Sequence, residues 1–322
     1  MSIHAINRTQ YHQYWDNSVK PAIFVKSGDT ITFDCLDASG GVITPDVTAK
    51  DLASLSLAGF NKVSGPVHVD IALPGDTLQV DFLDIQTADW GWTAILPGFG
   101  LLADEFSEVG IKIWKLHKNT SGDESEGYGY TWFDEEKGIK IPLKPFNGEI
   151  GVAPADNGKH STIPPYLTGG NIDLKHITKG ATVYLPVKIE GALFSIGDGH
   201  AAQGDGEVCG TAIETPIKAT VRLTVHKNKP YVQTPHYSIT KVADESGEFY
   251  GTTGVGSDIR EATRDATRSM IAYLRAEHGL TRTEAYMLCS VAGDLRMHEV
   301  VDMPNYLIGM MIPKSIFGHS SS

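Results

Sequence analysis

Between residues 20 and 225 the chain never sustains a long apolar run. Short stretches of Val, Ile, Thr and Phe are broken again and again by glycine and proline, of which the chain holds 34 and 16. That punctuation leaves room for strands and tight turns, not for long helices, and it predicts sandwich- or barrel-like sheets. Two segments are near copies. Ser27-Gly28-Asp29-Thr30-Ile31-Thr32-Phe33-Asp34-Cys35-Leu36-Asp37 matches Pro74-Gly75-Asp76-Thr77-Leu78-Gln79-Val80-Asp81-Phe82-Leu83-Asp84, each a Gly-Asp turn feeding a strand of alternating apolar positions. Lys179-Gly180-Ala181-Thr182-Val183-Tyr184-Leu185-Pro186-Val187 is a weaker echo. Three loose copies set no regular period, so they predict equivalent hairpins in stacked sheets and not a solenoid.

The segment 118–163 reads as loop-rich, with Asn119–Gly127 as an exposed excursion. After about residue 226 the pattern changes. A helix is expected from Ser257 as cap, with Ile259, Ala262, Ala266, Met270 and Tyr273 at helical spacing and Gly279 as its end. Thr281-Arg282-Thr283-Glu284 has the capping-box arrangement for a second helix through about Cys289. Strands are expected again at Met297–Val301 and Tyr306–Ile312. The fold class is therefore mainly β, stacked sandwich- or barrel-like sheets with a C-terminal α+β part. The expected divisions are a sandwich-like 1–155, a barrel-like 156–225 carrying the site, and an α+β 226–322.

With 41% hydrophobic and 20% charged residues, the chain is expected to fold throughout. The formal net charge of −12, without any run of Lys or Arg, argues against a nucleic-acid partner. No stretch is apolar enough to span a membrane. Three cysteines without CxxC spacing fit a reducing compartment, so a cytoplasmic protein is expected.

Four pairs of polar residues share an i, i+2 spacing: His68 and Asp70, Asn171 and Asp173, Asp198 and His200, Asp205 and Glu207. In a strand each pair projects to one face. Carboxylate and imidazole together suit a divalent metal, zinc first, with manganese or calcium as alternatives. Gly197, Gly199, Gly204 and Gly206 alternate with the acidic and imidazole residues, letting the backbone bend and approach a ligand closely. Carboxylates this dense repel one another unless a cation, a proton or hydrogen bonds hold them. A single Gly-Asp is a turn; the whole stretch reads as a functional site, with a decorated loop as the alternative.

Gly169-Gly170-Asn171-Ile172-Asp173, Tyr184-Leu185-Pro186-Val187, Gly191-Ala192-Leu193-Phe194 and the run Gly197 to Cys209 resemble the signature of the acetamidase/formamidase family. Gly65-Pro66-Val67-His68-Val69-Asp70 and Gly148-Glu149-Ile150-Gly151-Val152-Ala153-Pro154 resemble further motifs of it. Asp70 departs from the pattern, where the family usually has Glu. The resemblance implies a mostly β fold, hydrolysis of formamide, acetamide or a related small linear amide to carboxylate and ammonia, and a homo-oligomer. Residue chemistry then assigns Asp173, His200 and Glu207 to the metal, with Asp70 and Asp198 as further ligands. Asp205 is the expected general base or acid, Glu207 a second group of the reaction, and Asn171 the residue that orients substrate or oxyanion. Cys209 reads as a small buried hydrophobe, with a nucleophile as the rival. Ser195 lacks a nucleophile elbow. Two other functions fit the same residues: a metal-containing β-sandwich that binds a small ligand without turnover, and a hydrolase of another non-peptide C–N bond.

Overall fold

The computed structural model of the chain describes residues 1–55, 59–119, 127–239, 247–301 and 303–318. Two sheets face each other. The first has six strands in the order Ile3–Ile6, Thr30–Cys35, Ile217–His226, Thr77–Thr87, Thr182–Pro186 and His236–Ser238. The second runs Pro165–Tyr166, Gly169–Asn171, Phe146–Gly151, Phe194–His200, Val63–Val69 and Tyr11–His12, with Ile23–Val25 also paired to Val63–Val69. Between them lies an apolar core that takes Phe33, Leu78, Val80, Val183 and Val221 from one sheet and Val67, Ile150, Phe194 and Ile196 from the other. Both sheets draw strands from either side of residue 155, so no break between sheets falls there.

The three echoing segments do form equivalent turns, all within the six-stranded sheet. Gly28, Gly75 and Gly180 have φ of 95°, 95° and 87°, and the next residue's amide closes each turn on Lys26, Leu73 and Thr178 at 3.0 Å. The Asp29 carboxylate accepts from the Lys26 amide at 3.0 Å and Asp76 from the Leu73 amide at 2.7 Å. Ala181 cannot do this, which is why the third copy is weaker at the sequence level.

The segment 118–163 holds more strand than its composition suggests: Gly129–Asp134, Ile139–Pro142 and Phe146–Gly151 all lie in it. The hairpin turns at Gly138, φ 66°, and Ile139 and Ile141 face inward while Lys140 and Pro142 face out. The core of the Asn119–Gly127 excursion lies outside the described residues.

The C-terminal part is α+β, as its sequence predicts. Asp258, not Ser257, caps the Ile259–His278 helix, because Asp258 is the extended residue whose carboxylate accepts from the Glu261 amide at 2.9 Å. Gly279 ends that helix at φ 61°, and Thr281 with Glu284 forms a reciprocal capping box at the start of Arg282–Ala292. Ile259 is exposed, while Ala262, Ala266 and Met270 are buried against a sheet of Phe249–Gly256, Tyr306–Pro313 and Asp294–Glu299. Among the described residues no helix is long and apolar enough to cross a membrane.

Asp29 anchors the first strand of the six-stranded sheet, accepting from the Ser2 amide at 2.7 Å as well as from Lys26 and His4. These donors hold its carboxyl down at about 2. Asp29→Ala is expected to lower the unfolding free energy by about 2 kcal/mol at neutral pH. A depressed carboxyl stabilises above its unfolded value, so the difference from wild type should shrink as pH falls from about 4 towards about 2, as denaturant titrations will show.

Candidate metal and amide site

The Phe194–His200 strand pairs antiparallel with Phe146–Gly151, placing Phe146 opposite His200, Asn147 opposite Gly199 and Glu149 opposite Gly197. Side chains alternate across the pair. Phe146, Gly148 and Ile150 therefore share one face with Phe194, Ile196, Asp198 and His200. Asn147, Glu149 and Gly151 share the other with Ser195 and Gly197; the left-handed backbone at Asp198 breaks the alternation there, and a Cβ on Gly199 would meet Ile217 of the facing sheet.

On the first face five ionisable groups converge. His200 Nε2 lies 3.3 Å from Asp198 Oδ2 and 3.2 Å from Glu214 Oε2. Asp173, Asp198 and His200 each bring a ligand atom within 4.8 Å of the others, and so do His200, Glu207 and Glu214. Asp173 Oδ1 and Asp198 Oδ1 are buried without a hydrogen-bond partner, and His200 Nε2 and Glu214 Oε2, also buried, meet only groups of the cluster and at poor hydrogen-bond geometry. Gly148 forms the floor. A Cβ there would come within 2.5 Å of Asp198 Oδ2 and closer still to Asp173 Oδ1. Buried polar atoms without partners are expensive; this set of carboxylate oxygens and one imidazole nitrogen fits a divalent cation.

Backbone and neighbours fix the geometry. Asp173, Asp198 and Glu207 sit at φ 42°, 52° and 42°, a left-handed conformation that costs about 1 kcal/mol or more for each residue with a Cβ. Gln203 Oε1 accepts from His200 Nδ1 at 2.8 Å, which leaves Nε2 as the ligand atom in the neutral ring, and Gln203 Nε2 donates to the Asp173 carbonyl at 2.9 Å. The Ala212 amide donates to Glu214 Oε1 at 2.8 Å. Glu207 rides on a loop held from outside: the Gly204 amide bonds the Ser290 carbonyl at 2.8 Å, the Leu295 amide bonds the Asp205 carbonyl at 3.0 Å, and the Tyr286 hydroxyl bonds the Val208 carbonyl. Burial pushes the Asp173 carboxyl up to about 7 and Glu214 up to about 8 against the pull of His200, and it pushes Glu207 well up too. His200 is held well above its ordinary value because Glu214 and Asp198 outweigh its own burial.

The expected residues divide. Asp173, Asp198, His200 and Glu207 come together. Asp70 does not. Its amide bonds the Val25 carbonyl, and its half-exposed carboxylate lies 3.8 Å from His68 Nδ1. Register places it at the Gly191 end of the strand pair, seven residues from Asp198, about 20 Å away. Asp205 also points elsewhere: Gly206 at φ 101° and Glu207 at φ 42° turn the loop, so i and i+2 do not share a face. The Asp205 carboxylate instead meets Lys175, 3.5 Å away, which also pairs with Asp294. Asn171 sits across the sheet from Glu149, on the second face.

Glu214, Glu149, Asn147 and Gln203 were not anticipated. Asn147-Gly148-Glu149 has the same i, i+2 spacing as the four pairs and was legible by that rule; nothing in the sequence marks Glu214. Cys209 is fully buried, and burial raises its thiol, as for an inert core residue. Ser195 meets His12, with Nε2 2.7 Å from Oγ, not His200; His12 Nδ1 turns to the Tyr14 carbonyl, so no carboxylate completes a triad. Trp92 is core, its N–H donating to buried Asp37 at 2.7 Å.

The fold and site define a β-sandwich protein with a buried carboxylate–imidazole cluster, gathered around one strand pair, that could hold a metal ion. The profile of the Acetamidase/Formamidase family matches residues 3–161 and 155–319, and the chain belongs to that family. A formamidase of Methylophilus methylotrophus is 28% identical over 96% of this chain and 89% of its own length. An acetamidase of Mycolicibacterium smegmatis is 29% identical over 86% of this chain and 84% of its own. Among solved structures, a gamma lactamase from Delftia acidovorans superposes with a TM-score of 0.86 at 26% identity, covering 96% of this chain and 90% of that one. An acetamidase from Bacillus halodurans gives 0.66 at 29% identity, over 96% and 97%.

Gly148 has an ordinary backbone conformation, so Gly148→Ala tests the floor alone. It is expected to keep the wild-type circular dichroism and to lose at least about ten-fold in divalent-metal affinity, measured by chelator competition.

Proposed function

We propose that this chain hydrolyses small linear amides of the formamide or acetamide kind to carboxylate and ammonia, with a divalent metal held by Asp173, Asp198, His200, Glu207 and Glu214. The observation that carries the reading is the buried ligand cluster over Gly148, in which Asp173 Oδ1 and Asp198 Oδ1 have no hydrogen-bond partner, in a chain whose relatives are named formamidase and acetamidase. Four carboxylates with one imidazole suit zinc, and also manganese; a single imidazole makes calcium the weaker fit.

Amides resist attack because resonance weakens the carbonyl as an electrophile and the departing nitrogen must be protonated. Held by these residues, a divalent ion would supply water acidified towards neutral pH. The chain's own residues do the rest. Gln203 keeps the imidazole in one orientation and one tautomer. The left-handed turns at Asp173 and Glu207 bring carboxylates from two separate loops onto one point. Asn171 gives one N–H to the Ile163 carbonyl at 3.1 Å and keeps Oδ1 unpaired. Oδ1 can accept a hydrogen bond from an amide N–H, and the second N–H of the side chain is left to orient a substrate carbonyl or oxyanion. Asp205 lies 3.5 Å from Lys175 and supports the loop that carries Glu207.

The gamma lactamase likeness favours a second reading, a cyclic amide as substrate. A panel of formamide, acetamide and a γ-lactam, assayed for ammonia release or ring opening, separates the two, and the absence of turnover on all three would leave a ligand-binding protein. His200→Ala is expected to abolish tight metal binding and to lower kcat/KM at least about 1000-fold; unchanged metal content and activity would refute the scheme.

The cluster also has a pH signature. Acids raised above their unfolded values stay protonated in the folded, metal-free chain where the unfolded chain has released its protons. Metal-free stability therefore falls as pH rises from about 5 to about 8, and metal binding releases protons and tightens over the same range. Chelation is expected to lower the melting temperature more at pH 8 than at pH 6, measured by differential scanning fluorimetry at about those two values.

A further inference from the structure

The two loops that carry Asp173 and Glu207 meet again outside the ligand cluster, on one carboxylate of the C-terminal part. Asp294 opens the Asp294–Glu299 strand directly behind Gly293, the C-cap of the Arg282–Ala292 helix. Its Oδ1 accepts from the Asp205 amide at 2.9 Å, two residues before Glu207. The same oxygen accepts from the Lys175 ammonium, two residues after Asp173. Lys175 also lies 3.5 Å from the Asp205 carboxylate, and Arg296 lies 3.8 Å from Asp294 Oδ2. The side chains of Lys175 and Asp294 are largely buried. Lys175 and Arg296 balance Asp205 and Asp294, so the group adds no net charge beside the crowded carboxylates.

The backbones approach closely at this contact. The Leu295 amide returns a bond to the Asp205 carbonyl at 3.0 Å, so both backbone groups of Asp205 are taken by Asp294 and Leu295. A Cβ on Gly204 would run into the Gly293 backbone, and one on Gly206 into Leu295 Cδ1. Asp173 and Glu207 hold left-handed backbone while their carboxylates repel, an arrangement that persists only where neighbours over-determine it. Gln203 ties the two loops from the His200 side through the Asp173 carbonyl; Asp294 ties them from the other. We infer that Asp294 is a positioning residue of the metal site, which through Lys175 and the Asp205 amide fixes the separation of Asp173 and Glu207. The C-terminal α+β part, which supplies none of the proposed ligands, thereby sets the affinity of the site. The inference rests on the proposed metal reading and goes beyond it.

The test measures zinc affinity of the full-length protein by chelator competition, together with the visible spectrum of its cobalt(II) form, which reports ligand geometry. Asp294→Ala cuts both ties and is expected to weaken zinc binding by about 100-fold and to shift the cobalt bands. Lys175→Met keeps the apolar stem and cuts one tie. It is expected to cost about ten-fold and decides the matter if Asp294→Ala does not fold. Asp294→Asn keeps an acceptor for the Asp205 amide and should bind zinc about ten-fold more tightly than Asp294→Ala. Asp29→Ala controls for lost stability alone, since Asp29 lies at the opposite end of the Thr30–Cys35 strand from the Ile217–Gly199 contact. It should bind zinc within about two-fold of wild type. Zinc affinity within about two-fold of wild type in a folded Asp294→Ala or Lys175→Met overturns the inference, as does a cobalt spectrum unchanged in Asp294→Ala. An equal loss in Asp29→Ala also overturns it, by making the effect one of stability. Should wild type bind neither metal, the metal reading fails and the inference with it, a result distinct from variants that bind as tightly as a binding wild type.

Discussion

Four carboxylates share one small, buried volume, and their mutual repulsion is the constraint around which this structure is organised. Two like charges about 4 Å apart at an effective dielectric of about 20 repel by about 4 kcal/mol, and the cluster holds several such pairs. His200 offsets part of this from the centre, within 3.3 Å of Asp198 and 3.2 Å of Glu214. A cation or bound protons must offset the remainder. The scaffold brings the groups together regardless, by left-handed backbone at three of them and a glycine floor beneath. Such backbone persists only where its surroundings over-determine it, and here they do. Strand Phe194–His200 is buried along its whole length, and the Glu207 loop is held by Ser290, Tyr286 and Leu295.

The strand pair works as a partition. One face carries a dense set of buried carboxylate and imidazole groups, and the other carries the buried Glu149 carboxylate with the indole of Trp15 beside it. Gly148 sits in the partition, and Asp198 and Asp173 on the first face still raise the Glu149 carboxyl on the second, beyond the effect of its burial. The two faces are electrostatically close though sterically divided.

Much of the fold was legible because its signals are local. Gly-Asp turns, the Thr281–Glu284 capping box and Gly279 act within a few residues, and each appears where the sequence puts it. Half of the site was legible for the same reason: Asp198-Gly199-His200 lies on a strand, where i and i+2 share a face. The rule failed at Asp205 and Glu207 because their backbone is a turn, and it misled at His68 and Asp70 because a correct local pairing says nothing about which end of the sheet it occupies. Glu214 was invisible. It reaches His200 because two isolated bridges pair its backbone, one with Trp92 and one with His200, a long-range fact with no sequence period.

The order of strands in the six-stranded sheet has a consequence for how the chain is made. Ile217–His226 inserts between Thr30–Cys35 and Thr77–Thr87, pairing with both. During synthesis the two earlier strands emerge with their facing edges unpaired, and they must wait for well over a hundred further residues before the strand that fills the gap leaves the ribosome. Open edges of alternating apolar strands are templates for pairing between chains. The nascent N-terminal half is thus the stage at which this protein depends most on chaperones or on low local concentration, and slow translation across 90–215 would lengthen that exposure.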